Sequence, residues 1–171
     1  KFELVSICDI DKEVASTKSS ELKVKYFTDY KECLKQPEVN FAVIATPNSL
    51  HSEHALFAIQ NGCDVLIEKP STFSVKEIDQ IISESNKLNR KVYCVLQVRL
   101  NETVNLVRRL LSTEMLGKIR GVSLTQRWQR PLSYFTGWRN IPEIGGGTLY
   151  EVGIHYLDIL QLLVGMPNKV L

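Results

Sequence analysis

No apolar run in this chain approaches the roughly 18 residues a membrane-spanning helix needs, so no such span is expected. Charge of one sign is also missing: 21 Lys and Arg against 19 Asp and Glu leave a net charge of +2. That balance offers no field for a polyanion or an acidic membrane surface, and excludes nucleic-acid and membrane partners from the expected set. Cys8, Cys33, Cys63 and Cys94 are far apart and form no C-x-x-C pair. Three of them border or sit in apolar runs, which suits reduced thiols packed as small hydrophobes in a cytoplasmic protein. A glycine-rich phosphate loop is lacking too. The one glycine cluster, Gly145 to Gly147, follows no apolar strand. The chain opens on "KFELVSICDID" without a start methionine and closes on "MPNKVL", so a piece of a longer protein is expected.

What is present is a rhythm. "LVSIC", "VKYF", "FAVIATP", "DVLIE" and "KVYCVLQV" are short apolar strands. Between the last three lie the amphipathic stretches "SLHSEHALFAIQNG", with Ala55 and Ile59 on one face, and "SVKEIDQIISESNKLNR", with Ile78, Ile81, Ile82 and Leu88 as its stripe. Continuous apolar strands separated by helices of this length predict βαβ units and a doubly wound, Rossmann-type parallel α/β sheet covered on both faces, without its first strand and glycine-rich loop. Near Gln97 the rhythm changes to a helix, a strand-like segment "KIRGVSLTQRWQ", a long aromatic loop and a long final helix. The expected division is residues 1–97, a dinucleotide-binding domain, and 98–171, the start of an α+β substrate domain, each incomplete.

Ligands bind beyond the carboxyl ends of strands in open α/β sheets, which singles out "CDID", "ATPNSLH" and "EKPSTF". An acid ending such a strand, here Asp9, accepts hydrogen bonds from adenosine-ribose hydroxyls. Equally, Asp9 or Asp11 can cap the helix that follows. Lys69, flanked by Glu68 and followed by Pro70, stands where an amine can hydrogen-bond a substrate hydroxyl and stabilise an alkoxide; the bland alternative is a surface ion pair. Pro70 confines Lys69 to extended backbone, and a cis bond is compatible with the pattern. Glu151 and His155 are four apart and share a helical face, a spacing suited to a general base held by a carboxylate, although a lone helical histidine is commonly structural. His51 and His54 are three apart, but no third ligand lies nearby and no H-E-x-x-H pattern exists, so no metal is expected. Trp138 and Arg139 are candidates to touch cofactor or substrate. Arg127 and Arg130 flank Trp128 and suit a phosphate or carboxylate.

"ATPNSLHSEHALFAIQNGCDVLIEKP" followed by "GGGTLYEVGIHYLDIL" resembles the Gfo/Idh/MocA oxidoreductases, NAD(P)-dependent sugar and cyclitol dehydrogenases, and "LGKIRGV" resembles that family's lead into its second sheet. The resemblance implies Lys69 as catalytic lysine and His155 as acid/base, with Glu151 where the family often has aspartate. It implies Thr46, Pro47, Asn48 and His51 beside the nicotinamide and its ribose, with Glu68 next to them. Asp9 falls on the adenosine-ribose acid and favours NAD over NADP. Gln97 and Arg99 match the passage between the domains, Gln97 toward the cofactor; Arg99 and Tyr150 face substrate. The segments "QVRLN", "GWRN" and "GIHYLDILQLLVG" are most similar to members oxidising C3 of UDP-N-acetylglucosaminuronate or related nucleotide sugars for surface polysaccharides. Inositol or simple-sugar oxidation, and a non-catalytic NAD-binding relative, stay open. A homo-oligomer through the second domain's sheet is the expected assembly.

Overall fold

β1 (Ser6–Cys8), α1 (Lys12–Leu22) and β2 (Lys25–Phe27) form a βαβ turn whose strands run parallel, Ser6 opposite Lys25 and Cys8 opposite Phe27. A parallel return needs a crossover, and the polar stretch after Asp11 supplies it as a helix. After the short α2 (Tyr30–Leu34), the chain continues through β3 (Phe41–Ile44), α3 (His51–Gln60), β4 (Asp64–Ile67), α4 (Val75–Lys87) and β5 (Val92–Cys94). These three strands form a second parallel ladder in the order β3-β4-β5. Its register sets Ile44 opposite Ile67 and Ile67 opposite Cys94. A computed structural model supplies these coordinates and describes residues 2–113 and 115–170. The chain divides into two units, Lys1–Cys94 and Val95–Leu171, three residues before the boundary expected at 97.

The core of the first unit lies on one side of β3 and β4. Ala42, Ile44, Val65 and Ile67 point into it and meet Ala55, Ala58 and Ile59 of α3 and Ile81 of α4, all buried. Alanines at 55 and 58 let α3 come close to the sheet, and Gly62 ends it with a positive φ of 84°. A capping box fixes the start of α4: Ser74 Oγ accepts from the Glu77 backbone N–H at 3.2 Å, and the Glu77 carboxylate accepts from that of Ser74 at 3.1 Å. The parallel α/β architecture is the one expected. α3 and α4 pack on one face of β3–β5 through Ala55, Ala58, Ile59 and Ile81, while Val43 (65%) and Tyr93 (52%), which point to the other face, are exposed. The α4 stripe is also narrower than its spacing predicts, since Ile82 and Leu88 stay exposed while Ile81 is fully buried.

In the second unit a 3₁₀ turn, Gln97–Leu100, precedes α5 (Glu102–Ser112), which Asn101 caps through the Thr103 N–H at 2.9 Å. The segment 118–129, expected as a strand, is not one among the described residues. A strand exists only as a partner in a ladder, and every ladder among the described residues belongs to the first unit. The sheet expected to carry self-association is therefore not formed among them. The expected aromatic loop contains local order: 3₁₀ turns at Leu132–Phe135 and Gly137–Asn140, then α6 (Pro142–Gly145). A π-helical turn, Leu149–Gly153, runs into α7 (Ile154–Val164), so the long final helix is not uniformly α. Among the described residues no helix is long and apolar enough to cross a membrane.

Ile81 has no exposed surface and sits where α4 meets the sheet. Ile81→Ala should lower unfolding free energy by about 2–5 kcal/mol, read as a shift of the urea midpoint, whereas Ile82→Ala should cost much less.

Candidate functional site

The register of β3 and β4 brings two sequence motifs together. Thr46 and Lys69 each lie two residues beyond the paired Ile44 and Ile67, so they leave adjacent strands at the same level. The Glu68 N–H donates to Ile44 O at 2.9 Å, carrying the ladder one step past the last paired residues. His51, fully buried at the start of α3, spans the two exits. Its Nδ1 lies 2.7 Å from the Pro70 carbonyl oxygen and its Nε2 2.8 Å from that of Thr46. A ring carrying both protons donates to both oxygens; a neutral ring donates to one. His51, placed by resemblance beside the nicotinamide, here fixes the backbone around Thr46, Pro47 and Lys69.

His54, one turn along α3, is 9% exposed, and its Nδ1 lies 3.1 Å from Thr46 Oγ1. The Tyr30 ring packs against it at 4.0 Å between centroids, and Tyr30 donates its hydroxyl hydrogen to the Glu53 carboxylate at 2.6 Å. Burial holds His54 below the ordinary histidine range; Glu53 opposes the shift, while His51 and Lys31 add to it. The same contact with Glu53, after desolvation, pushes Tyr30 up to about 12. In the sequence His54 stands out only as a possible metal ligand. The signal that could have assigned it is its i, i+3 spacing from His51 on a helix that starts beside "ATPN". Among the described residues no group of three His, Cys, Asp or Glu is arranged to hold a metal ion.

Asn48 is 4% exposed, Pro47 is half-buried, and Pro70 is fully buried behind a cis Lys69–Pro70 bond. Lys69 and Glu68 are half-buried, and the Glu68 carboxylate accepts from the Lys69 backbone N–H at 3.2 Å. Asp9 belongs to the other ladder, at the exit of β1. The capping alternative resolves in its favour: Asp11 Oδ1 accepts from Glu13 N at 2.8 Å and Val14 N at 3.3 Å, making Asp11 the cap of α1. Among the described residues Asp9 accepts from the Asp11 N–H, at 2.9 Å through Oδ1, and is otherwise exposed. Its Oδ2 is open to a hydroxyl donor, which fits a ribose diol. Cys33 and Cys63 are buried, and burial raises both thiols; Cys8 and Cys94 are exposed, and partial desolvation with Cys33 beside it pushes Cys8 up to about 11.

In the second unit, the triple glycine has a local cause. A Cβ on Gly145 would lie 2.8 Å from Arg139 O, so only glycine lets α6 close on the Gly137–Asn140 turn. Gly146 and Gly147 have φ of 76° and 74°, a region glycine enters without strain. This turn presents Arg139, whose Nε donates to Glu151 Oε1 at 3.1 Å and whose guanidinium stacks 4.4 Å from the Trp138 ring centroid. Glu151 is only 10% exposed through its side chain and lies in the π-helical turn, a helix type frequent at functional sites. His155 is half-buried in the first turn of α7. Tyr150 and Gln97 are exposed. Arg99, expected to face substrate, grips Asp158 with two parallel hydrogen bonds of 2.8 and 2.5 Å and ties the Gln97–Leu100 turn to α7.

Parallel strands with an acid, a threonine and a lysine at their carboxyl ends define a dinucleotide-binding Rossmann domain, and matching agrees. Residues 1–96 match the oxidoreductase family with an NAD-binding Rossmann fold, and residues 104–171 match the GFO/IDH/MocA C-terminal domain. The chain belongs to the Gfo/Idh/MocA oxidoreductase family. A putative UDP-kanosamine synthase oxidoreductase subunit of Amycolatopsis mediterranei is 34% identical over 96% of this chain and 45% of its own length. The WlbA dehydrogenase of Bordetella pertussis, solved with NADH and UDP-GlcNAcA, superposes with a TM-score of 0.90 at 30% identity, covering 95% of this chain and 48% of that one. A second WlbA dehydrogenase, from Chromobacterium violaceum and also solved with NADH and UDP-GlcNAcA, gives a TM-score of 0.90 at 27% identity with the same coverage. The chain thus spans about half the length of the relatives it matches.

Two outcomes follow from the histidines. Removing the His51 bridge leaves a cavity and two carbonyls without it, so His51→Ala should destabilise the fold by about 2–5 kcal/mol in urea unfolding. Because burial depresses His54, the unfolded chain binds its proton at higher pH than the folded one. Stability should be full above the ordinary histidine pKa of about 6.5 and decline as pH falls below it. His54→Gln should flatten that decline, read as the difference in urea midpoint between pH 7.5 and pH 5.5 (about two units apart).

Proposed function

We propose that this chain carries the cofactor-binding and catalytic groups of an NAD-dependent dehydrogenase that oxidises a secondary ring hydroxyl of a sugar or nucleotide sugar, with Lys69 and His155 as the catalytic pair. The observation that carries the reading is the pinned pair of strand exits: His51 holds Thr46 O and Pro70 O, so Lys69 leaves β4 in one backbone course. Asp9, released from capping by Asp11, suits the adenosine-ribose hydroxyls. A carboxylate there disfavours a 2′-phosphate and so favours NAD over NADP. Thr46, Pro47, Asn48, Glu68 and Gln97 are assigned to the nicotinamide side, and Trp138 and Arg139 to the same region.

Bound NAD supplies the acceptor of the substrate's carbon-bound hydrogen. The chain's own groups handle the hydroxyl. His155 takes its proton through a ring nitrogen, and Lys69 Nζ donates a hydrogen bond to the oxygen as negative charge grows on it. Glu151, neutralised by Arg139, sets the charge on the helical face it shares with His155. The ligands of the two WlbA structures, NADH and UDP-GlcNAcA, favour an acidic nucleotide sugar. Arg99 is proposed to act by holding α7 through Asp158, and Tyr150 to meet substrate directly.

The test is absorbance at the reduced-nicotinamide band, with full-length protein, NAD and a panel of UDP-uronates, neutral sugars and inositols. Lys69→Ala should lower kcat by about 10²–10³-fold while NAD still binds, as loss of a donor to a developing oxyanion does. Unchanged turnover in that variant would remove Lys69 from the mechanism.

A further inference from the structure

The second unit contains a cavity of about 370 Å³ lined by Gln126, Trp128, Arg130, Tyr134, Arg139 and Glu151, among others. Its charges do not cancel. Arg139 is paired with Glu151, whereas Arg130 has no carboxylate partner among the described residues. The Arg130 guanidinium instead lies over two rings, 4.8 Å from the centroid of Trp128 and 4.7 Å from that of Tyr134. Stacking fixes the plane of a guanidinium while leaving its N–H edge free to donate. A second donor faces the same space: Gln126 Nε2 is buried and has no hydrogen-bond partner. A buried amide N–H₂ without an acceptor costs free energy unless a ligand supplies one.

We infer that this cavity is an oxyanion subsite, in which Arg130 and Gln126 hold a carboxylate or phosphate oxygen of the substrate. Two guanidinium groups against one carboxylate leave one positive charge, which a single oxyanion balances. The planar edge of Arg130 matches the two oxygens of a carboxylate or of a phosphate. Trp128 is 59% exposed and leaves ring surface open for an apolar or planar part of the same ligand. Glu151, which lines this cavity, lies four residues before His155, the group assigned to proton transfer. The inference rests on the proposed dehydrogenase reading for the identity of the ligand as substrate, and on the cavity alone for its charge.

The experiment compares full-length protein with Arg130→Gln and Arg130→Lys, using UDP-GlcNAcA, UDP-GlcNAc and a neutral glucoside. Arg130→Gln should reduce the preference in kcat/KM for UDP-GlcNAcA over the neutral glucoside by about 10–100-fold, the range of a lost charge-assisted hydrogen bond. Arg130→Lys should recover part of it. Loss confined to UDP-GlcNAcA assigns the carboxylate; equal loss with UDP-GlcNAc assigns the pyrophosphate. If the wild type turns over none of these, the dehydrogenase reading fails by itself, and calorimetric titration of UDP-GlcNAcA decides the subsite: weaker binding to Arg130→Gln supports it. An unchanged preference or affinity, or an equal change for the neutral glucoside, overturns it. Thermal melting of both variants separates loss of fold from loss of the cation, and Arg130→Lys alone then decides if Arg130→Gln does not fold.

Discussion

The bridge from His51 to the carbonyls of Thr46 and Pro70 is the contact on which the first unit's site depends. Parallel strands end with their carbonyls aimed out of the ladder, and a buried exit must find donors for them. A fully buried imidazole at the N-terminal turn of α3 places its two ring nitrogens within hydrogen-bond distance of the carbonyls at the ends of β3 and β4. The arrangement needs α3 to lie close against the sheet, which Ala55 and Ala58 permit. It also needs both strands to stop at the same level, which the pairing of Ile44 with Ile67 ensures. Thr46 gains a second constraint through His54. The hydroxyl and the amine assigned to function are thus carried on backbone that the core itself positions.

The second unit solves a different problem, that of holding charge at low exposure. The Glu151 and Asp158 side chains are each 10% exposed, and a carboxylate at that depth needs a cation to offset its desolvation. Arg139 and Arg99 provide one each. Arginine suits both positions because its fork can bond a carboxylate and its flat face can lie on an aromatic ring, as Arg139 does on Trp138. Arg130 makes only the second kind of contact, which is why it stands apart from the other two.

Much of the first unit could be read from the chain because its strands are continuous apolar runs and three of its helices, α1, α2 and α4, carry side-chain caps. The Ser74 and Glu77 spacing and the Ala55 and Ile59 face are local signals with local consequences. Less was legible where a residue's role depends on who its neighbour is across the fold. Asp9 and Asp11 are indistinguishable as caps until the helix start is known to the residue. His51 looks like half of a metal pair until β3 and β4 are placed in register. The segment 118–129 has the composition of a strand, but composition cannot provide a pairing partner. The glycines at 145–147 stand out in the sequence as a cluster, but the reason for Gly145, a Cβ that would strike Arg139 O, depends on how α6 folds back on the preceding turn.

In the proposed reading, the groups that meet the reacting oxygen and those that recognise the rest of the substrate stand on different kinds of backbone. A hydroxyl oxygen that becomes an alkoxide is common to every sugar alcohol, so the groups meeting it can sit on rigid strand ends and helix turns that need not vary with the substrate. The rest of the substrate differs from case to case, and groups that distinguish it belong on irregular backbone whose side chains can be exchanged without disturbing a ladder. Residues 126–153 have that character: two 3₁₀ turns, a four-residue helix and a π-helical turn, with Arg130 over the rings of Trp128 and Tyr134 and Arg139 over those of Tyr134 and Trp138. Those stacks hold charged side chains in fixed planes without help from a sheet. In the proposed reading, chemistry is held by core packing and hydrogen-bonded backbone, and recognition is held by arginines laid on aromatic rings.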